Sequence, residues 1–302
     1  MSKILITGAT GLLGKSTINF LLQKGIAANH ISALARDTSK VEELKSKGLD
    51  VKIGNYDDFD SLCSAMQGVE TMLLISSSEM TKSRAVQHIN AIKAAKESGV
   101  KHIIYTGFMR THEDPESPLW FIAKDHVETE KYLKESGITY TLFANGFYLD
   151  MLMDFVGEQV IESKTIFVPA GEGKINFVLR NEIAEALANV LTTGGHENKT
   201  YNIGIEQPIS FGEIANYISE LTGVAINYVS PEPEVYQQAL VKYGVPEAYA
   251  RMFTAFAVAF SANTMNIPTT DLTQLLGRRP TIVQDYLLTK FKGEKMIHTA
   301  NG

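Results

Sequence analysis

The chain has 302 residues, 28 basic and 34 acidic, for a net charge of −6, and 44% of it is apolar. That apolar share excludes a disordered chain, and the acidic balance argues against nucleic acid or an anionic membrane surface as partner. The single cysteine, Cys63, excludes an intramolecular disulfide framework and a cysteine zinc site, and the seven histidines show no ligand spacing, so no metal is expected. No stretch reaches the ~18 apolar residues of a membrane span, and no cleavable leader precedes Ile4-Leu5-Ile6, so the expectation is a cytoplasmic protein with no membrane partner.

Short apolar runs predict strands at Lys3–Thr7, His30–Ala35, Asp50–Ile53, Thr71–Ile75, His102–Thr106 and Tyr140–Ala144. Between them, helical spacing marks Leu12–Lys24, Ser39–Lys47, Asp58–Met66, Thr81–Ser98 and Ala123–Ser136. Strands apolar on both faces and joined by helix-length connections imply parallel pairing, because a parallel pair needs a crossover. The fold class is α/β: a Rossmann-type doubly wound parallel sheet with a smaller, mainly helical C-terminal substrate region.

Past residue 148 the pattern changes. Ile166–Val168, Ile175–Val178 and Thr200–Ile203 are short strands, with a helix at Arg180–Leu191. Helices follow at Ser210–Thr222, Pro233–Tyr243, Pro246–Ser261, Thr269–Leu276 and Thr281–Lys290, the first opened by a Ser210–Glu213 capping box. Residues 1–150, with 180–204 returning to them, form the expected nucleotide domain. Residues 151–179 and 205–290 form the substrate region, and 293–302 a frayed tail. In Pro246–Ser261, Phe253, Phe256 and Phe260 are spaced as core, pocket lid or the face of a homodimer.

The sharpest motif is Gly8-Ala9-Thr10-Gly11-Leu12-Leu13-Gly14, which leaves the first strand and opens the first helix. Gly8 permits the tight turn, Gly11 lets amides approach a pyrophosphate, and Gly14 allows close packing of the helix. The helix start offers free N–H groups and its positive dipole end to phosphates. This is a dinucleotide site, with Thr10, Leu12 and Leu13 among the expected contacts.

The second strand ends in Arg36 where an NAD site usually carries an acid. A guanidinium suits a 2′-phosphate by charge and forked hydrogen bonds, and Lys40 adds positive potential, so NADP is favoured over NAD. Asp37 is assigned to capping. Asn55-Tyr56 lies where adenine is expected, by side chain or by the Tyr56 backbone, with a capping turn at Asp57 or Asp58 the equal alternative. Ser76 and Ser77 follow the fourth strand, where Ser78 either joins them or caps the next helix. Thr106 ends the fifth, beside the nicotinamide half.

Short-chain dehydrogenases use a tyrosine acid with a lysine four residues later on one helical face. Tyr286 and Lys290 have that spacing but lie on the last helix, away from the site. At the expected place stand Trp120 and Lys124, and an indole is no general acid. Alcohol oxidation and sugar epimerisation are therefore disfavoured. Hydride delivery to a quinone or a delocalised cation needs no such acid, only a dry, flat pocket. Phe108, Trp120, Phe147 and Tyr148 are its expected walls, and His126, Lys124 and Tyr148 its candidate catalytic groups.

The GxxGxxG spacing is similar to that of extended and atypical short-chain dehydrogenases. GATGLLG, LLISSSE (Leu73–Glu79), DHVETEKYLKESGITYTL (Asp125–Leu142) and NGFY (Asn145–Tyr148) resemble their NmrA-like branch, and GHENKTYNI (Gly195–Ile203) and YGVPEAY (Tyr243–Tyr249) extend the likeness. The resemblance implies an NADPH-preferring, flavin-free reductase of small quinone-like or dye-like acceptors. It places the nucleotide at Gly8, Thr10, Gly11, Leu12, Leu13, Arg36, Ser76, Ser77 and Asn145-Gly146-Phe147-Tyr148. Two positions depart from the family pattern, Ala144 in place of arginine and Asn55 in place of aspartate. The competing expectations are a non-catalytic NADP(H) sensor and, behind it, a nucleoside-diphosphate-sugar epimerase.

Overall fold

The structure, a computed structural model, describes residues 3–79, 81–267 and 269–291. Strands β1 (Ile4–Ile6), β2 (Ile31–Ala35), β3 (Asp50–Ile53), β4 (Thr71–Leu74), β5 (His102–Phe108) and β6 (Thr139–Asn145) alternate with helices α1 (Leu12–Gln23), α2 (Glu42–Ser46), α3 (Phe59–Ala65), α4 (Arg84–Glu97) and α5 (Trp120–Glu135). Beyond them lie β7 (Phe147–Tyr148), α6 (Leu152–Val156), α7 (Val160–Ser163), β8 (Thr165–Phe167), β9 (Phe177–Val178), α8 (Arg180–Thr192), β10 (Lys199–Ile203), α9 (Phe211–Thr222), β11 (Asn227–Val229), α10 (Pro233–Lys242), α11 (Glu247–Ser261), α12 (Leu272–Leu276) and α13 (Val283–Phe291).

Seven strands form one parallel sheet in the order β10-β6-β5-β4-β1-β2-β3. Every residue of β1 and β2 is buried, as the two-sided apolar pattern requires, because helices cover both faces. One helical layer packs Leu13, Ile18 and Leu21 of α1 with Ile183 and Leu187 of α8, and the other packs Leu62, Ile92 and Leu133. The order in which strands are added reverses between β1 and β4, β2 and β3 lying to one side and β4 to β6 to the other, and the crevice outside the strand ends at such a switch point is where an open α/β sheet takes its ligand.

A second core gathers the chain after β6. The two-stranded pairs β7–β9 and β8–β11 lie over it, with α9, α11 and α13 around them. The capping box at Ser210 and Glu213 is formed. The phenylalanine stripe of α11 is core: Phe260 lies 5.0 Å from Phe147, Phe256 5.1 Å from Phe147, and Phe253 5.0 Å from Phe155, centroid to centroid. Strands β7 and β11 are too short to show alternation and lie outside the expected runs, whereas β8 and β9 fall on the strands expected at Ile166–Val168 and Ile175–Val178. Helix α5 starts at Trp120 rather than Ala123, and Ser39–Lys47 divides into a 3-10 turn at Thr38–Lys40 and α2. The 293–302 tail lies outside the described residues.

Phe260 is fully buried and joins four other rings. Phe260→Ala is expected to cost about 3–5 kcal/mol of stability in urea unfolding; a loss below about 1 kcal/mol would mean that this ring cluster does not hold the C-terminal half together.

Candidate functional site

The crevice at the carboxyl ends of the strands opens into two adjoining cavities, of about 470 and 770 Å3, which share Ser76, Ser78 and Tyr148 in their walls. The smaller is lined by Gly8, Thr10, Gly11, Leu12, Leu13 and Gly14, with Arg36, Lys40, Tyr56, Ser77 and Arg180 around them. Gly8 takes φ +58, the left-handed region that glycine tolerates, and the Gly11 N–H closes the turn on the Gly8 carbonyl at 3.0 Å. A side chain at Gly14 would put its Cβ 2.4 Å from the same carbonyl oxygen, so only glycine lets the first turn of α1 lie this close to the loop. Gly11 caps α1 with no side-chain hydrogen bond, and the N–H groups of Leu12 and Leu13 have no carbonyl one turn earlier to meet. The result is a cradle of amide donors with two cations, Arg36 and Lys40, at its far end.

Several expected residues serve this cavity from behind. The Tyr56 hydroxyl sits between Thr7 Oγ1 (2.5 Å) and the Ile75 carbonyl (2.8 Å), so its ring faces the cavity while its phenol ties β1 to β4. Asn55 stays in the turn, where its Oδ1 accepts the Asp57 N–H, and Asp58 caps α3. The Asp37 carboxylate accepts the Ser39 hydroxyl at 2.7 Å and the Ser39 N–H at 2.8 Å, capping the turn beyond Arg36; those hydrogen bonds hold its pKa below the usual carboxylate value. Ser83, not Ser78, caps α4. Thr106 lines neither cavity: it is buried, and its Oγ1 accepts the Ser76 N–H at 2.9 Å, so it fixes the end of β4 rather than facing a ligand.

The larger cavity has Gly107, Phe108, Asn145, Gly146, Phe147 and Tyr148 on its sheet side, Phe121, Ile122, Lys124, Asp125 and His126 from α5, and Met151, Tyr249, Met252 and Phe256 from the C-terminal half. Trp120 is absent from this wall. Helix α5 enters the cavity only from Phe121 onward, and Phe121 and Ile122 supply the surface expected of the indole. Asn145 is buried, yet neither its Oδ1 nor its Nδ2 has a protein partner, which costs about 1–3 kcal/mol per group unless a ligand completes it. Gly146 allows the β6–β7 link to lie against other backbone, since a Cβ there would sit 2.4 Å from the Asn176 carbonyl. Lys124 is exposed at the rim, and the Arg180 guanidinium lies 5.2 Å from the centre of the Tyr148 ring. Tyr286 and Lys290 touch each other on α13 and line neither cavity.

Behind Phe108, His126 Nδ1 is 2.7 Å from the Tyr105 hydroxyl. Burial, with the nearby charges of Arg84 and Arg110 adding to it, holds the His126 pKa well below the ordinary imidazole value. His88 is pulled down to about 3 by burial, with Arg84 adding to the effect. Among the described residues no cluster of three or more histidine, cysteine, aspartate or glutamate side chains could hold a metal, and no helix is long and apolar enough to cross a membrane.

The model of the NmrA-like family matches residues 1–287. The chain belongs to the NmrA-like family. Among its NmrA-like relatives, quinone oxidoreductase 2 of Escherichia coli is 36% identical over 93% of this chain and 96% of that protein. The NAD(P)H azoreductase of Xenophilus azovorans is 29% identical over 82% of this chain and 83% of its own. The Citrobacter sp. triphenylmethane reductase complexed with NADP(H) has a TM-score of 0.87 at 38% identity, covering 95% of this chain and 99% of that one. Among the residues that sequence reasoning missed around the site, Phe121 stands one position along α5 from Trp120, while Arg180, Met252 and Tyr249 are brought in by tertiary packing.

Both buried imidazoles are neutral in the fold, whereas in the unfolded chain they protonate near pH 6.5; the stability this gives is complete above that pH and lost as pH falls below it. In an NMR titration the ring resonances of His88 and His126 are expected to stay fixed from pH 8 to pH 5. A midpoint near 6.5 for either would contradict the burial described.

Proposed function

We propose that the chain is an NADPH-dependent reductase that passes hydride to quinones or related conjugated acceptors, such as azo and triphenylmethane dyes, with no flavin. The buried, unpartnered Asn145 in the wall of the larger cavity is the observation that carries this: its amide completes its hydrogen bonds when a nicotinamide carboxamide is the ligand. The glycine cradle, which any Cβ at Gly14 would fill, takes the diphosphate on the Leu12 and Leu13 amides. Arg36 and Lys40 take the 2′-phosphate, which favours NADPH over NADH, and the face of Tyr56 meets the adenine.

NADPH, when bound, supplies a hydride from C4 of its nicotinamide. The chain's own part is to place an acceptor in the larger cavity, against Phe108 and Phe147, and to exclude water with Phe121, Met252 and Phe256. His126, Lys124 and Tyr148 face that acceptor, and the proton that completes a hydroquinone comes from solvent. In this account residues 1–150 and 180–204 hold the nucleotide, and residues 151–179 and 205–290 shape the acceptor site. A nucleotide sensor would have no use for a second cavity of about 770 Å3 walled by aromatic side chains beside its ligand.

The test is steady oxidation of NADPH on addition of a simple quinone to the purified protein; tight nucleotide binding without turnover would favour the sensor. Arg36→Glu is expected to weaken NADPH on the order of 100-fold, by the loss of a charge-assisted pair, and NADH by less than about threefold. Equal effects on the two nucleotides in calorimetric titration would remove Arg36 from the 2′-phosphate site.

A further inference from the structure

The hydrogen bonds behind the larger cavity fix where the protons sit. A backbone N–H can only donate, and the Ser77 N–H lies 2.8 Å from His88 Nε2, so that nitrogen carries a lone pair. Neutral His88 therefore holds its proton on Nδ1, which faces Thr129 Oγ1 at 2.9 Å and the Tyr105 oxygen at 3.2 Å. The Thr129 hydroxyl donates its own hydrogen bond to the Asp125 carbonyl at 2.6 Å. With His88 Nδ1 occupied, the buried Tyr105 hydroxyl has Thr129 and His126 Nδ1 as neighbours, and the 2.7 Å contact to His126 Nδ1 is the one we assign to its proton. His126 then carries its proton on Nε2; the residue is one of those lining the larger cavity, and Phe108 stacks on its ring at 6.1 Å and 23°.

We propose that the relay Ser77–His88–Tyr105 locks His126 as a fixed Nε2–H donor to the carbonyl oxygen of the acceptor, and so tunes this site for acceptors that end in oxygen. The proposal rests on the site being that of the reductase above. When hydride adds to a quinone, the C=O π pair moves onto oxygen, and a preorganised N–H aimed at that oxygen stabilises the new charge. His126 keeps its proton throughout, because a neutral imidazole is a far weaker acid than the hydroquinone it would have to protonate, and the hydroquinone anion takes its proton from a solvent acid. A triphenylmethane cation develops no such charge: hydride neutralises its central carbon and no proton is needed. Ser77, His88 and Tyr105 are positioning residues, and they link the wall of the nucleotide cavity to the acceptor's donor.

Tyr105→Phe removes one buried hydroxyl and leaves the ring. It is expected to lower the ratio of quinone to triphenylmethane dye turnover about tenfold, whereas a merely structural role would lower both rates together and leave the ratio unchanged. His126→Gln, which keeps an N–H donor, is expected to retain more of that ratio than His126→Leu. An independent readout needs no turnover: 15N spectra of the nucleotide-free protein are expected to show His126 with bare Nδ1 and protonated Nε2, and Tyr105→Phe to mix the two tautomers. An unchanged ratio, or a native His126 protonated on Nδ1, overturns the proposal. If the native protein reduces neither acceptor, the reductase assignment fails and takes the acceptor half of the proposal with it, while the tautomer spectrum still decides the relay.

Discussion

A contact with no side chain in it sets the position of everything else: the first turn of α1 lies against the carbonyl of Gly8, at a distance that any residue larger than glycine at position 14 would prevent. That approach brings the open end of the helix to the switch point of the sheet, where its unpaired amides face outward in place of a side-chain cap. Arg36 ends the neighbouring strand and Ser76 the one on the other side, so a single backbone arrangement orders the cation, the amides and the serines along one crevice.

The larger cavity is built on a different principle. Its floor is the end of β5 and β6, which is rigid because both strands are internal to the sheet. Its walls come from the ring cluster around Phe147, which serves at once as core and as lining. Behind that floor, polar groups are satisfied one by one, through Thr106 to Ser76 and through His88 to Ser77, with Asn145 left incomplete. Arg84 pairs with Asp125 and Arg110 with Glu130, and although Gln87 Oε1 and Arg110 Nε also lack partners, Asn145 has both amide atoms open and lines the cavity, which marks where a ligand belongs.

What could be read from the chain alone was local. The glycine loop, the strand ends at Arg36 and Ser76 and the NGFY turn each lie within a few consecutive residues, so spacing alone placed them. Trp120 misled because three residues decide which side chain of a helix reaches a cavity, and α5 begins earlier than its apolar pattern indicated. Thr106 misled because the end of a strand offers alternate faces and the threonine faces inward, where a backbone N–H claims it. Arg180, Met252 and Tyr249 were illegible in sequence: each reaches the crevice from an element more than a hundred residues beyond the glycine loop, and only the packing of the C-terminal half brings it there.

The central claim, that one crevice orients a single nucleotide from the Arg36 end to the Asn145 end, is tested most directly by a crystal structure of the NADP+ complex. The expected result is the diphosphate on the Leu12 and Leu13 amides, the 2′-phosphate at Arg36 and the carboxamide hydrogen-bonded to Asn145. A nucleotide lying in the reverse direction, with its adenine in the larger cavity, or one bound away from the Gly8 loop, would contradict it.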